Sequence, residues 1–377
     1  MTNVIAMSCL EVIQPIGKFY IGSIKASDLC NITQYDFRRL SNEEGFESYI
    51  GINRKVDQNR ENEIAQYVGT SDACFPTSII LSIPAACTHY DHKSKILKLK
   101  EYIDKNDSNK NISSDKIATV LDGQHRIAGL KKGTYQGEFE LNVSIFIDLD
   151  IADQAYIFST INLAQTKVNR SLVYDLYDLA KARSPQKVCH NIAVALDKDE
   201  SSPFYKAIKR LGVATEGRYN ERITQATFVD SLICYLTDDA RTDRELYKKG
   251  KKPQKASADE LKKMIFRNMF IDEKDLDITD VIWNYFDAIS DNWEKAWCNT
   301  GSGIMLKRTN GFRAFMRFLR PAYLHITSPG SIPTKKQFME VLKKIDIKDA
   351  QFNTDIYKPG TGGESKLYNE LREKSKI

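Results

Sequence analysis

The sequence predicts an α+β chain in two parts, an α/β domain over residues 1–170 and a mostly helical domain over residues 171–377. Three observations carry this. The 377 residues fit two domains, since domains run about 100–200 residues each. The first half alternates apolar runs of strand length with helical patterns. Beyond about residue 170 the strand signals fade and apolar residues recur at helical spacing.

Lys18–Ile24 has the pattern of a short strand, and Asn59–Val68 that of a helix with Ile64, Ala65 and Val68 on one side. The run Thr77–Ile83 is apolar and bounded by Pro76 and Pro84, which suits a buried strand. Residues 103–114 are polar and predict a loop. Residues 116–133 predict a strand, a glycine turn at Gly123 and a helix stopping near Gly133. Leu141, Val143, Ile145, Ile147 and Leu149 repeat with period two, the cleanest strand signal in the chain, and residues 152–162 follow as a helix. In the second half, helices are predicted over Leu172–Leu179, Ile223–Leu236, Leu261–Phe270, Val281–Trp297, Phe312–Leu324 and Phe338–Ile345. The lysine-rich stretch 248–260 and Gly360–Gly363 are expected as loops. Trp283, Tyr285, Phe286, Trp293 and Trp297 fall at helical spacing, as core residues do.

Apolar residues make up 42% and charged residues 28%, which excludes a disordered tail or a coiled-coil rod. No window approaches the roughly 18 apolar residues of a membrane span, so no membrane partner is expected. The first twenty residues lack a basic segment, and Glu11 interrupts their apolar stretch, unlike a signal peptide. Seven cysteines without zinc-ligand spacing predict free thiols and a cytoplasmic location. His89, Asp91 and His92 are compatible with a metal site or with a solvated loop. A net charge of +5 does not by itself establish a nucleic-acid partner, so clustering of charge matters more.

The most informative segment is Val120–Leu130. A strand ends at Leu121, Gly123 permits a tight turn, and a helix begins near Gln124. Helix N-termini present unpaired N–H groups and attract anions. Arg126 can grip phosphate through its guanidinium fork. Asp122 can hold Mg²⁺ or orient water, and His125 can transfer a proton or donate to phosphate. The alternative is a helix cap, with Asp122 as the N-cap and Arg126 a surface charge.

Asp122-Gly123-Gln124-His125-Arg126 spells DGQHR, and the chain resembles the DGQHR-domain family. That family includes DndB proteins of DNA phosphorothioate modification and DpdB proteins of DNA 7-deazaguanine modification. It is more distantly similar to the ParB/sulfiredoxin-like fold, in which a comparable turn holds a nucleoside triphosphate. The resemblance extends to Arg54 and Arg60 ahead of a helix, to Phe75-Pro76 and the strand after it, and to Phe158–Leu172. In that last stretch Asn162 matches a ParB-type asparagine and Gln165 lies near its glutamine, while Ile161 stands where a glutamate would be. The resemblance thus implies a ParB/sulfiredoxin-like N-terminal domain. Gly123, Gln124, Arg126, Arg54, Asn162 and Gln165 are its nucleotide-binding candidates, Asp122 and His125 its catalytic ones, and Asp122 the metal ligand.

Arg313, Arg317 and Arg320 share one face of a predicted helix that begins near Gly311, with Thr309 or Asn310 as its cap. Such a stripe contacts DNA phosphates; the alternative is a helix whose arginines pair with acids. The primary expectation is an ATP-hydrolysing component, with Mg²⁺, of a bacterial DNA-modification or phage-defence system. The alternatives are a DndB-like DNA-binding transcriptional regulator and a non-catalytic scaffold. DNA, a modifying enzyme of the same system and a second copy of the chain in a homo-oligomer are the expected partners.

Overall fold

The computed structural model describes residues 4–34, 39–43, 46–50, 57–135, 137–150, 153–154, 156–158, 170–177, 182–299, 301 and 303–377. The chain divides into two compact units, Met1–Val168 and Asn169–Ile377. The first is α+β and the second largely helical.

In the first unit the elements run β1 (Ile5–Gln14), β2 (Gly17–Lys25), α1 (Ala26–Ile32), β3 (Thr33–Gln34), β4 (Arg39–Glu43), β5 (Phe46–Ile50) and α2 (Gln58–Tyr67). They continue with β6 (Ile79–Ile83), β7 (Thr88–Asp91), β8 (Ile96–Leu99), β9 (Ala118–Asp122), α3 (Gln124–Lys132) and β10 (Glu140–Ile147). Eight strands form one mixed sheet in the order β3-β9-β6-β10-β2-β1-β8-β7, and β4 and β5 pair as a separate ribbon.

Alternating side chains give the sheet two apolar faces, as strand geometry requires. Leu141, Val143 and Ile145 join Ile79, Leu81, Ile83 and Val120 in the main core. Phe146, Leu121, Phe19 and Ile157 form a smaller cluster. The predicted strand at Leu141–Leu149 is therefore central, between β2 and β6. The β1 strand has no counterpart among the expected elements.

In the second unit, α4 (Arg170–Leu176) and α5 (Pro185–Lys198) precede a short parallel ribbon of β11 (Ile208–Lys209) and β12 (Ile223–Thr224). Then come α6 (Gln225–Ile233), α7 (Ala240–Lys248), α8 (Arg267–Ile271) and α9 (Asp275–Asn292). The chain ends with α10 (Glu294–Cys298), α11 (Thr309–Ile326), α12 (Lys335–Leu342) and α13 (Thr361–Ser375). Tyr285, Phe286, Trp293 and Trp297 are core residues, and Trp283 packs at the core's edge. The Phe204 ring meets those of Phe286 and Trp297 edge-on at 4.8 and 5.6 Å, an arrangement aromatic quadrupoles favour.

Two expectations are corrected. Gly360–Gly363 is not all loop: Gly360 turns the chain at φ +99° and Thr361 opens α13. A Cβ on Gly363 would come within 2.9 Å of the Lys358 backbone, so the small residue is needed inside the helix. Nor does Thr309 or Asn310 cap α11. Arg308 occupies the N-cap without a side-chain bond, and the Asn310 amide instead donates to the carbonyls of Lys358 and Gly360 at 3.2 and 3.1 Å.

Candidate functional site

The DGQHR residues sit where β9 leaves the sheet. Asp122 pairs with Ile80 of β6, next to a shift in strand register. Gly123 is the N-cap of α3 and lies in the left-handed region, φ +99° and ψ 10°. A Cβ there would stand 2.9 Å from Ile79 Cγ1. Glycine is therefore required twice, by backbone conformation and by contact with β6.

Arg126 turns back toward β6. Its Nη1 donates to the Thr77 carbonyl and to Thr77 Oγ1, the latter at 3.0 Å. Its Nη2 donates to the Ser78 carbonyl at 3.0 Å and to Asp122 Oδ2 at 3.2 Å. The two ionised side chains are 15% and 24% exposed, so the pair is partly screened from water. Burial holds the Arg126 guanidinium below its usual range against the opposing pull of Asp122, and the positive charge of Arg60 adds to the lowering. The residue stays charged, as arginine does in proteins. Asp122 thus does not serve as the helix cap. It closes an i,i+4 ion pair that staples the first turn of α3 to the sheet.

A second helix meets α3 at its start. Asp57 caps α2, its Oδ1 accepting from the Asn59 N–H at 2.9 Å, and its own N–H donates to His125 Nε2 at 3.3 Å. Further along, Gly129 faces Ile64 and Ala65, and Gly133 faces Val68. A Cβ on Gly129 would lie 2.7 Å from Ile64 Cβ, and one on Gly133 2.6 Å from the Ala65 carbonyl oxygen. Contacts advance together along both helices, so α2 and α3 run parallel with their N-termini at one end. Their dipoles add there, beside Arg60 and His125. The arrangement can attract an anion.

Gln124, the first residue of α3, is only 7% exposed. Arg54, Asn162 and Gln165 lie outside the described residues. Among the described residues, no group of three or more His, Cys, Asp or Glu side chains is placed to hold a metal. Asp91 accepts from the Lys93 and Ser94 backbone, and His92 packs edge-on against Tyr90.

In the second unit, Arg313, Arg317 and Arg320 lie on α11 as expected. Arg317 is tied to α13. Its Nη1 bonds Glu364 Oε1 at 3.1 Å and Ser365 Oγ at 3.2 Å, and its guanidinium lies 4.3 Å from the Tyr368 ring centroid. Arg313 and Arg320 form no ion pair among the described residues. In the lysine-rich segment, Lys252 and Lys255 pair with Glu273 and Asp272. Asp57 was missed as a site residue. Its signal was an aspartate directly ahead of a helical pattern, the ordinary N-cap sign.

Fold and turn together define a two-unit protein whose α+β half carries a DGQHR turn braced against a central strand. A family profile described as "DndB: DNA-sulfur modification-associated" matches residues 7–198. The match spans the sheet, the DGQHR turn and α5, just over half of the chain, and the chain belongs to the DndB family. That membership supports a role in a bacterial DNA-modification system. No curated protein and no solved structure matches the chain. Among the described residues, no helix is long and apolar enough to cross a membrane.

Proposed function

We propose that this protein is a DNA-binding regulator of a bacterial DNA-modification system, acting in the cytoplasm, with the DGQHR turn serving as a structural brace. The observation that carries this reading is the placement of Arg126. Both terminal nitrogens of its fork are engaged by Thr77, Ser78 and Asp122. A guanidinium so occupied has little left for a phosphate, and an aspartate paired to it is a poor metal ligand. Family membership supports the DNA-modification setting, and Arg313 and Arg320 offer cations to a DNA backbone. The reading is tested by footprinting the purified chain on DNA flanking the modification genes, together with their transcript levels when the protein is removed. Protection at a promoter and altered transcription support it. No protection and unchanged transcripts reject it.

A second reading is favoured by one observation, the parallel N-termini of α2 and α3 beside Arg60 and His125. Here the same end of the unit binds a nucleoside triphosphate, ATP foremost, and hydrolyses it slowly with Mg²⁺. His125 would transfer the proton or hold a phosphate oxygen, and Asp122 would reach Mg²⁺ only after releasing Arg126. Calorimetry with ATP, GTP, CTP and UTP in the presence of Mg²⁺ tests this directly. Heat of binding for any of them, lost in His125→Ala, supports it; no heat for all four rejects it.

A further inference from the structure

The first unit carries a cavity of about 340 Å³ at the start of β10. Phe75 and Pro76 line one side, and Glu138, Phe139, Glu140 and Asn142 line the other. The two phenylalanine rings are half-buried, with centroids 5.8 Å apart. Lys25 stands opposite Glu140 in the sheet register, but its Nζ bonds Glu138 Oε1 at 2.7 Å. Glu140 is exposed and forms no ion pair among the described residues.

The wall at residues 73–76 is fixed at both ends. The Cys74 N–H donates to the Tyr67 hydroxyl at 2.8 Å, and that hydroxyl donates to the Cys74 carbonyl at 3.2 Å. Just past Pro76, the carbonyls of Thr77 and Ser78 accept from Arg126. The Asn142 amide donates to the Pro76 carbonyl at 3.2 Å and ties the wall to β10. The DGQHR brace thus holds one side of the cavity in place, and a preformed pocket avoids part of the ordering cost of binding.

The same face of the sheet continues into exposed apolar surface. Lys25, Ser23 and Ile21 of β2 pair with Glu140, Asn142 and Ser144 of β10, and Ile21 pairs in turn with Leu10 of β1. Paired residues, and every second residue along a strand, share a face. Leu10 and Ile21 are 60% and 40% exposed. About 13 Å of strand separates their row from that of Glu140.

We infer that this face docks an extended segment of a partner protein, with an arginine side chain in the cavity and an apolar side chain on Leu10 and Ile21. A guanidinium stacks on aromatic rings and pairs with a carboxylate through its fork. Phe75, Phe139 and Glu140 offer both contacts. Negative charge at the cavity repels a nucleic-acid backbone, so charge complementarity selects a basic protein segment. The apolar pair adds surface that gains from leaving water. The inference does not depend on the DNA-binding reading and adds a protein contact on the first unit.

The test is an NMR titration of the ¹⁵N-labelled full chain with the peptide acetyl-Arg-Ser-Gly-Ser-Leu-amide, whose end residues match this spacing. Saturable shifts are expected at the backbone amides of Ile21, Phe139, Glu140 and Asn142. Citrulline in place of the peptide's arginine keeps the shape and removes the charge, and should weaken binding about two- to fivefold, as should Glu140→Gln. Lys25→Gln frees the Glu138 carboxylate and should tighten binding. Leu10→Ser should weaken it. All three positions are exposed, and the unshifted remainder of each spectrum shows that the variant is folded. No saturable shift, or equal binding of the arginine and citrulline peptides, overturns the inference. Equal binding by wild type and Glu140→Gln does the same. Shifts of these amides with duplex DNA and not with the peptide would assign the face to nucleic acid and overturn it too.

Discussion

The backbone N–H of Asp57 donates to Nε2 of His125 at 3.3 Å, joining the first turns of α2 and α3. The bond fixes the His125 tautomer: Nε2 accepts, so a neutral ring carries its proton on Nδ1. It also couples the DGQHR turn to the segment containing Asp57 and Arg60. A ligand arriving at the shared N-terminal end would compete for His125, and protonation of the ring would break the same bond.

Arg126 is expected to act on stability first. Arg126→Ala removes a charged donor from two carbonyls and one carboxylate, and charge-assisted hydrogen bonds contribute about 1.5–3 kcal/mol. Urea unfolding should show a loss of that order. Arg126→Lys should restore little, because a single ammonium does not reproduce the fork. Wild-type stability in Arg126→Ala, combined with lost nucleotide binding, would favour the hydrolase reading instead.

Gly129→Ala should destabilise the first unit although alanine is the better helix former. The added Cβ would overlap Ile64, and overpacking costs about 1–3 kcal/mol, more than the roughly 1 kcal/mol of helix propensity gained. The midpoint of urea unfolding should fall. A rise would mean that α2 and α3 are not in close contact at this point.

Much of this fold was legible in the sequence, for reasons that particular residues show. Period-two alternation at Leu141–Leu149 marked β10 because one face meets the main core and the other is more polar along most of its length. Flanking prolines marked the strand within Thr77–Ile83. By contrast, β1 hid because its solvent-facing positions are apolar: Leu10 and Ile13 are 60% and 70% exposed, which erases the alternation. The α13 helix hid behind glycines that serve its start and its packing. The turn itself was plain, but its chemistry was not. Nothing within the DGQHR motif shows that Arg126 folds back on Thr77 and Ser78, because those carbonyls lie almost fifty residues earlier. Likewise Glu364, the partner of Arg317, is distant in sequence.

Lys307→Met should raise stability at pH 7. The folded-state value of about 8 lies below the ordinary 10.5. At pH 7 the lysine is charged in both states and the full cost of burying it is present. Between about 8 and 10.5 the unfolded chain binds more protons, so wild-type stability should rise with pH across that window. The variant should gain on the order of 1–2 kcal/mol at pH 7, after discounting for solvent screening, and should lack the lysine's contribution to the rise. Chemical denaturation at pH 7 and pH 10 measures both.

Arg317→Ala should loosen the contact between α11 and α13 and leave DNA binding nearly intact. Its ion pair and ring contact contribute roughly 0.5–1 kcal/mol in a partly exposed setting. Arg313→Ala/Arg320→Ala, which breaks no ion pair among the described residues, should do the reverse. Paired melting curves and anisotropy titrations separate the two, and a large DNA defect in Arg317→Ala alone would return that residue to the DNA-contacting face.

On the DNA-binding reading, this DndB-family chain works by holding DNA. The most direct test is the salt dependence of duplex binding by the wild-type chain, without added nucleotide. Engagement of at least two phosphates, by Arg313 and Arg320, predicts a linear fall of log K with log[salt], with a slope of about −1.8 or steeper. A slope near zero, or no binding at low ionic strength, would contradict it.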